Sequence, residues 1–169
     1  MERGATIYAE ITGYGQSNDA HGLLPPSEDG TRYARALCQA IQAGGMSPDD
    51  VAYLSLDGRA LPSSDQGEVD ALRQVFGTRL QQIPASVPRT MFGHSYAAAG
   101  ALDTITALLS LKHGQILPTL NCDQFNPHYE FNLVRDKPQP LPSSGSQVAL
   151  VGGRGTGGTN VALTLRKER

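Results

Sequence analysis

Alternating apolar and polar positions along residues 5–14, ATIYAEITGY, predict a first β-strand. Further on, apolar residues including Leu37 and Ile41 recur at helical spacing, and the glycine pair at positions 44 and 45 is a typical helix end. A short apolar run at residues 51–56 predicts a second strand, which stops at an Asp-Gly pair typical of a turn. The chain therefore starts in the order strand, helix, strand.

The rest of the chain continues this alternation. Two more helices are predicted at residues 63–77 and 95–114, each ending at a glycine, with a cap for the first near Ser64 or Asp65. A short extended segment separates them, and the chain closes with two strand-like segments around a glycine turn. Strands that alternate with helices imply a layered α/β fold with a mixed five-stranded sheet, in a single domain spanning residues 1–169.

Composition narrows the classes of partner. The 169 residues carry a net charge of −2, and no basic cluster within the chain favours nucleic acid or an anionic membrane. Cys38 and Cys122 are too few for a disulfide framework, so a reduced, cytoplasmic setting is expected. We recognise no signal peptide and no apolar run long enough for a membrane span. The histidines and cysteines show no metal-ligand spacing, so no metal is expected.

Two local features suggest chemistry. His94 precedes an apolar helix, where a neutral imidazole could donate a hydrogen bond to a developing oxyanion; a His that merely caps the helix is the alternative. Gly153, Gly155 and Gly158 form a Gly-x-Gly-x-x-Gly motif, but a strand-like segment follows them. A dinucleotide site needs a helix there, so no nucleotide cofactor is predicted.

Several stretches in register resemble the C-terminal half of a β-ketoacyl-acyl-carrier-protein synthase, an enzyme of the thiolase fold. The similarity covers nearly the whole chain and is carried by these segments: RGATIYAEITGYG, DAHGLLPPSEDGTRYARALCQAI, VFG, AAAG, LPTLN and GGTN. The resemblance implies that the chain is one half of a thiolase-like fold. It also implies that a nucleophilic Cys lies in the N-terminal half, outside this sequence.

The resemblance also implies roles for individual positions. In the family, a strand ends in His-Gly-Thr, with an Asp eight and a Glu eleven residues after the His. Asp65 and Glu68 stand at these offsets from Asp57, so Asp57 occupies the position of the first catalytic His, and Asp65 and Glu68 have structural roles. The family has a Lys five residues before the second catalytic His; here Arg89 stands five residues before His94.

An Asp at the first position changes the expected chemistry. A neutral imidazole can donate a hydrogen bond to a thioester or enolate oxygen, whereas a carboxylate facing the pocket of His94 has no proton to donate. Only a protonated Asp57 would rescue donation. The family's FGFGG gate reads RGTGG here, which places Arg154 and Thr156 at the two Phe positions. By resemblance, five residues at the end of the chain are expected to bind substrate: Arg154, Gly155, Thr156, Gly157 and Asn160.

These departures resemble the chain-length-factor branch, whose members are catalytically silent partners of an active ketosynthase. The expected function is therefore a non-catalytic half-subunit in polyketide or fatty-acid-type biosynthesis, although His94 is retained. Expected partners are an N-terminal-half chain, an active ketosynthase in a heterodimer and an acyl carrier protein. The alternatives are the C-terminal half of an active condensing enzyme and a stand-alone interaction module. A split gene, a cleaved precursor and a fragment all fit the missing half.

The predicted third helix supports the idea of a covering partner. It is apolar on nearly all sides, and such a helix needs cover when its own half of the fold stands alone.

Overall fold

A computed structural model of the chain describes residues 3–24, 26–143, 145 and 147–167. Its helices and strands alternate along much of the chain. They are β1 (Glu10–Asn18), α1 (Thr31–Ala43), β2 (Val51–Ser55), α2 (Pro62–Phe76), β3 (Pro84–Ser86), α3 (Ala99–His113), β4 (Gln115–Ile116), β5 (Asn132–Leu133), β6 (Gln139–Pro140), β7 (Val148–Arg154) and β8 (Thr159–Arg166).

The main sheet has six strands in the order β1-β8-β7-β2-β3-β5. β2 pairs in parallel with β7 and with β3, and β3 pairs in parallel with β5. The terminal hairpin of β7 and β8 is antiparallel, and β1 adds antiparallel to β8 at the edge. This mixed sheet confirms the α/β class. It also brings the carboxyl ends of β2, β3 and β7 to the same edge of the sheet.

Two apolar clusters pack the helices against the sheet. Along β7, Val148 and Leu150 belong to the cluster that includes α1 and α2, whereas Ala149 and Val151 belong to the cluster that includes α3. Because side chains alternate between the two faces of a strand, the helices cover opposite faces of the sheet. The result is the layered arrangement expected from the sequence.

The structure corrects three details of the predicted elements. The first strand covers Glu10–Asn18 rather than residues 5–14, because its pairing with β8 fixes the register from Glu10 onward. The sheet has six strands rather than five, because the two-residue strand β5 adds beside β3 and is too short to produce a period in the sequence. Helix α2 begins at Pro62, before the predicted caps, and no side-chain cap bonds its first turn.

The predicted helix ends agree with the structure. α1 ends before Gly44, α2 before Gly77 and α3 before Gly114. Gly114 has φ 66°, a left-handed conformation that glycine adopts without steric cost. In the parts of the chain that the structure describes, none of the helices has the length and apolar character required to cross a bilayer.

Candidate active-site region and its buried charge cluster

The segment after β2 forms a tight turn, and two acidic side chains of helix α2 accept hydrogen bonds from its backbone. The backbone N–H groups of Asp57 and Gly58 donate to the two carboxylate oxygens of Glu68, at 2.8 and 2.9 Å. The N–H of Arg59 donates to Asp65 Oδ1 at 3.0 Å. Gly58 has φ 47°, and a Cβ there would meet the side chain of Val87. Glu68 and Asp65 thus fix the turn by accepting its backbone donors.

The Asp57 carboxylate is buried, with 1% of the residue exposed, and it accepts hydrogen bonds from three guanidinium groups. Arg59 Nε and Arg154 Nε donate to Oδ2, at 2.9 and 3.2 Å. Arg89 Nη1 donates to Oδ1 at 3.1 Å. Both oxygens are therefore occupied by cationic donors. Such a carboxylate is an acceptor and has no proton to offer a substrate.

Each arginine around Asp57 also binds a second group. Arg89 forms a two-point ion pair with Asp103 of α3. Arg154 Nη1 donates to the carbonyl oxygen of Ser64 at 2.6 Å, and its Nη2 lies 3.5 Å from Glu68 Oε2. These contacts join the tip of β2 to α2, α3 and β7. We call the six side chains of this network the charge cluster: Asp57, Arg59, Glu68, Arg89, Asp103 and Arg154.

Burial and neighbouring charges oppose each other within the charge cluster. Burial raises the pKa of Glu68 above its usual value, and the nearby Asp57 charge adds to this, whereas Arg154 and the two backbone donors lower it. Burial likewise raises the pKa of Asp103, against its hydrogen bonds with Arg89. Burial alone would lower the pKa of Arg89, but Asp103 and Asp57 raise it overall. Arg89 therefore stays charged, and the buried carboxylates of Glu68 and Asp103 depend on their arginine neighbours.

His94 lies apart from the charge cluster, on an exposed segment before α3. A 3₁₀ turn at Tyr96–Ala98 separates it from the start of α3, so it does not sit at the α-helix N-terminus predicted from the sequence. Its Nδ1 accepts the Tyr96 N–H at 3.1 Å, and the two rings meet edge to face at 5.5 Å. In a neutral ring the proton therefore lies on Nε2, which stays a hydrogen-bond donor.

A cavity of about 370 Å³ joins His94 to the charge cluster. Arg59, Arg89 and His94 line it, together with Thr90 and Tyr96. Asp57 does not line it, because the arginines lie between the carboxylate and the cavity. The expectation that the carboxylate faces the pocket of His94 is therefore wrong: the cavity wall carries guanidinium groups.

A second, larger cavity of about 570 Å³ adjoins the first, and Gly58 and Thr90 line both. Its walls include apolar residues of α2 and apolar residues that follow β2 and β3, such as Leu56 and Val87. They also include aromatic rings that contact one another, Phe125, Tyr129 and Phe131. Apolar walls with a few polar groups are typical of cavities that hold organic ligands.

The residues expected to bind substrate at the end of the chain do not gather in one place. Arg154 turns inward to Asp57, whereas Thr156 is exposed at the tip of the β7–β8 turn beside Gly155 and Gly157. Asn160 is buried and donates to Asp19 Oδ1 at 2.6 Å, which ties the turn to the loop after β1. The structure therefore brings Arg154, Arg89 and Asp57 together. Substrate binding by any of the five residues stays a prediction.

The chain matches the family described as β-ketoacyl synthase, C-terminal domain, over residues 8–123. It belongs to that family. The chain is 33% identical over 165 residues to the 3-oxoacyl-[acyl-carrier-protein] synthase 2 of Staphylococcus aureus (strain COL), covering 98% of this chain and 39% of that protein. It is 29% identical to the synthase of the same name from Synechocystis sp., over 99% of this chain and 39% of that one.

Solved ketosynthases share the fold of this ketoacyl synthase domain. A structure of a type II PKS acyl-carrier protein in complex with its ketosynthase matches with a TM-score of 0.92 and 28% identity. The ishigamide ketosynthase/chain length factor matches with a TM-score of 0.89 and 28% identity. Both matches cover 99% of this chain and 40% of theirs. The chain thus spans about two fifths of the length of its relatives, and its fold is that of thiolase-like ketosynthases.

Two members of the charge cluster were missed in the sequence. Arg59 lies in the turn after β2, and Asp103 lies within the apolar third helix. The signal for Arg59 was its place two residues after Asp57, where a turn brings side chains together. The signal for Asp103 was a lone buried acid on an apolar helix, which needs a cationic partner. Among the described residues, no group of three or more His, Cys, Asp or Glu is placed to hold a metal ion.

Proposed function

We propose that this chain forms the C-terminal half of a non-catalytic, chain-length-factor-like subunit in a type II ketosynthase complex of polyketide or fatty-acid-type biosynthesis. In this role it completes a ketosynthase fold and helps to shape the tunnel for the growing acyl chain. The observation that carries the proposal is the state of Asp57. This residue occupies the position of the family's first catalytic His, and both of its oxygens accept hydrogen bonds from arginines.

The chemical argument concerns hydrogen-bond donors. Condensation in this family needs two imidazoles that donate to the extender thioester or its enolate. Here only one of the two positions, His94, carries an imidazole. Its Nδ1 already accepts a hydrogen bond, so the ring N–H that it can donate is at Nε2. Loss of one oxyanion donor typically lowers a rate by about 10²–10³. The charge cluster therefore favours a structural role for the strand tip over a catalytic one.

The proposed partners follow from the relatives and from the exposed surface. We propose that an N-terminal-half segment covers α3, whose Ile105 and Leu109 are exposed, and the neighbouring Phe92 and Tyr96. Relatives of this chain include a ketosynthase in complex with an acyl carrier protein and a ketosynthase/chain length factor. An active ketosynthase and an acyl carrier protein are therefore the further partners that we propose for the complete subunit.

The test uses the complete protomer, which is this chain together with the part of the fold that its relatives carry outside the matched region. Acyl and malonyl carrier proteins are supplied with and without a separate active ketosynthase, and condensation is followed by mass spectrometry. We expect product only when the active ketosynthase is present. Condensation by the protomer alone at about 1–10 s⁻¹, within the ordinary range for enzymes, would refute the proposal.

The retained His94 favours a second candidate, the C-terminal half of an active condensing enzyme. Its Nε2 proton stays available beside a cavity, and a protonated Asp57 would share the work of donation. This candidate predicts that Asp57→Asn keeps activity, that Asp57→His raises it and that His94→Ala abolishes it. Turnover unchanged in His94→Ala would eliminate this candidate, whereas turnover lost in that variant alone would favour it over the silent partner.

A further inference from the structure

The cavity of about 570 Å³ lies across the turn after β2 from the cavity that contains His94. Arg59 and Leu61 line the smaller cavity, whereas Ala60 and Pro62 line the larger one. Alternate residues of this segment therefore point to opposite sides of its backbone. The larger cavity is a separate space, and its chemistry is set by α2 and by the segment that precedes β5.

Among the described residues, the charged side chains that line the larger cavity are all acidic: Asp65 and Glu68 of α2, and Asp123. Glu68 already faces Arg154 and accepts from two backbone donors of the turn. Asp65 and Asp123 form no ion pair within the part of the chain that the structure describes. Burial raises the pKa of Asp65, so a cation beside it would stabilise the charged form. The charges of the cavity therefore favour a positively charged ligand.

Three aromatic rings line the same cavity and form a corner. Phe125 meets Tyr129 and Phe131 edge to face, with interplanar angles of 78° and 87°. The rings of Tyr129 and Phe131 are parallel to within 9°. The face of an aromatic ring carries negative charge density and attracts cations. Phe125 already meets one cation, because the guanidinium carbon of Arg135 lies 5.7 Å from its ring centroid.

Helix α2 positions both the carboxylate and the rings. Asp65 belongs to its first turn. Arg73, near its end, donates to the carbonyl oxygen of His128 at 2.5 Å, and its Nη2 lies 3.8 Å from Glu130 Oε2. These contacts attach the segment that carries the rings to the helix that carries the carboxylate. The acidic and aromatic walls are therefore held around one space.

We propose that the larger cavity binds an organic cation with an apolar tail, such as an alkylammonium ion. Aromatic rings recognise quaternary ammonium groups by cation–π attraction, and the unpaired carboxylate of Asp65 supplies the counter-charge. Val69 and Leu72 of α2 line the cavity beside them and suit an alkyl chain. The volume of about 570 Å³ lies within the ordinary range for ligand pockets. The proposal does not depend on the proposed function, because neither Asp57 nor His94 lines this cavity.

Binding is tested by calorimetry on the complete protomer, with three probes that share a hexyl tail and differ in charge: hexyltrimethylammonium, 1-hexanol and hexanoate. We expect saturable 1:1 binding of hexyltrimethylammonium with a Kd of about 0.1–1 mM, and binding of the other two at least about tenfold weaker. Asp65→Asn should weaken binding of the cation by at least about fivefold and leave hexanol unaffected. Tyr129→Leu, which keeps an apolar wall without a ring, should weaken it by about threefold. Asp49→Asn removes an exposed carboxylate outside the cavity and is the matched control, which should bind as the unchanged protein does.

Each outcome supports or overturns the cation site. No saturable binding of hexyltrimethylammonium up to about 10 mM would overturn it. Hexanol that bound as tightly as the cation would show that the cavity selects only the apolar tail, and hexanoate that bound more tightly would reverse the assigned charge. A folded Asp65→Asn variant with unchanged affinity for the cation would also contradict the proposal. The comparison of the three probes on the unchanged protein decides the matter even if a variant misfolds.

Discussion

Substitution of Asp57 by Asn is the sharpest test of the charge cluster. The change keeps the shape of the side chain and removes its negative charge. In the structure this charge accepts three guanidinium hydrogen bonds at 2.9, 3.1 and 3.2 Å, with 1% of the residue exposed. Removal of this charge leaves three buried or half-buried guanidinium groups without the carboxylate that they share. We therefore expect Asp57→Asn to destabilise the folded state strongly.

The size of the effect follows from the contacts. A hydrogen bond to a charged group contributes about 1.5–3 kcal/mol, so three of them set an upper range of about 4.5–9 kcal/mol. The Asn carbonyl can still accept one or two of these bonds. Asp103 and Glu68 stay beside Arg89 and Arg154. Removal of one partner from a buried ion pair costs about 3–5 kcal/mol, and we expect a loss of this size in the free energy of unfolding.

Urea denaturation of the complete protein, followed by circular dichroism and analysed at constant m value, measures this loss. Asp70→Asn is the matched control, because Asp70 pairs with Arg73 on the surface of α2, where the side chains are 36% and 37% exposed. Exposed pairs of this kind contribute about 0–1 kcal/mol. A loss for Asp57→Asn of less than about 1 kcal/mol, no larger than the control, would show that Asp57 does not neutralise the arginines. The double variant Asp57→Asn with Arg59→Gln should lose less than the sum of the two single variants.

Two further predictions concern Glu68 and Gly152. Because burial raises the pKa of Glu68, the folded state binds the carboxyl proton of Glu68 more tightly than the unfolded chain does. The resulting stabilisation of the folded state is present below the pKa of the unfolded chain and is lost as the pH rises through the pKa of the folded state. When the pH is lowered from 7 to 5, the free energy of unfolding should therefore increase more in the unchanged protein than in Glu68→Gln. Equal increases, measured by urea denaturation at both pH values, would contradict this. A Cβ at Gly152 would overlap the Tyr33 hydroxyl, whereas one at Gly153 meets nothing within 4 Å. Gly152→Ala should cost about 1–3 kcal/mol, Gly153→Ala less than about 1 kcal/mol, and equal thermal midpoints would disprove the overlap.

Local patterns predicted most of the secondary structure. In the part of the chain that the structure describes, helical periodicity and terminal glycines located the three α-helices, because an apolar face and a glycine at the helix end are properties of neighbouring residues. The same patterns failed at β5 and β1. A two-residue strand has no period to detect, and the start of β1 depends on its distant partner β8. Pairing across the sheet decides such boundaries.

The sequence by itself determined the α/β class and the membership in the ketoacyl synthase family, and it predicted an acid, Asp57, at the first histidine position. Only the tertiary structure decided where that acid points. Its three arginine partners lie 2, 32 and 97 residues away along the chain. They meet because β2 pairs in parallel with both β3 and β7, which brings the following turns to one edge of the sheet. No local pattern encodes that meeting, since it depends on long-range strand pairing and on the need of a buried charge for partners.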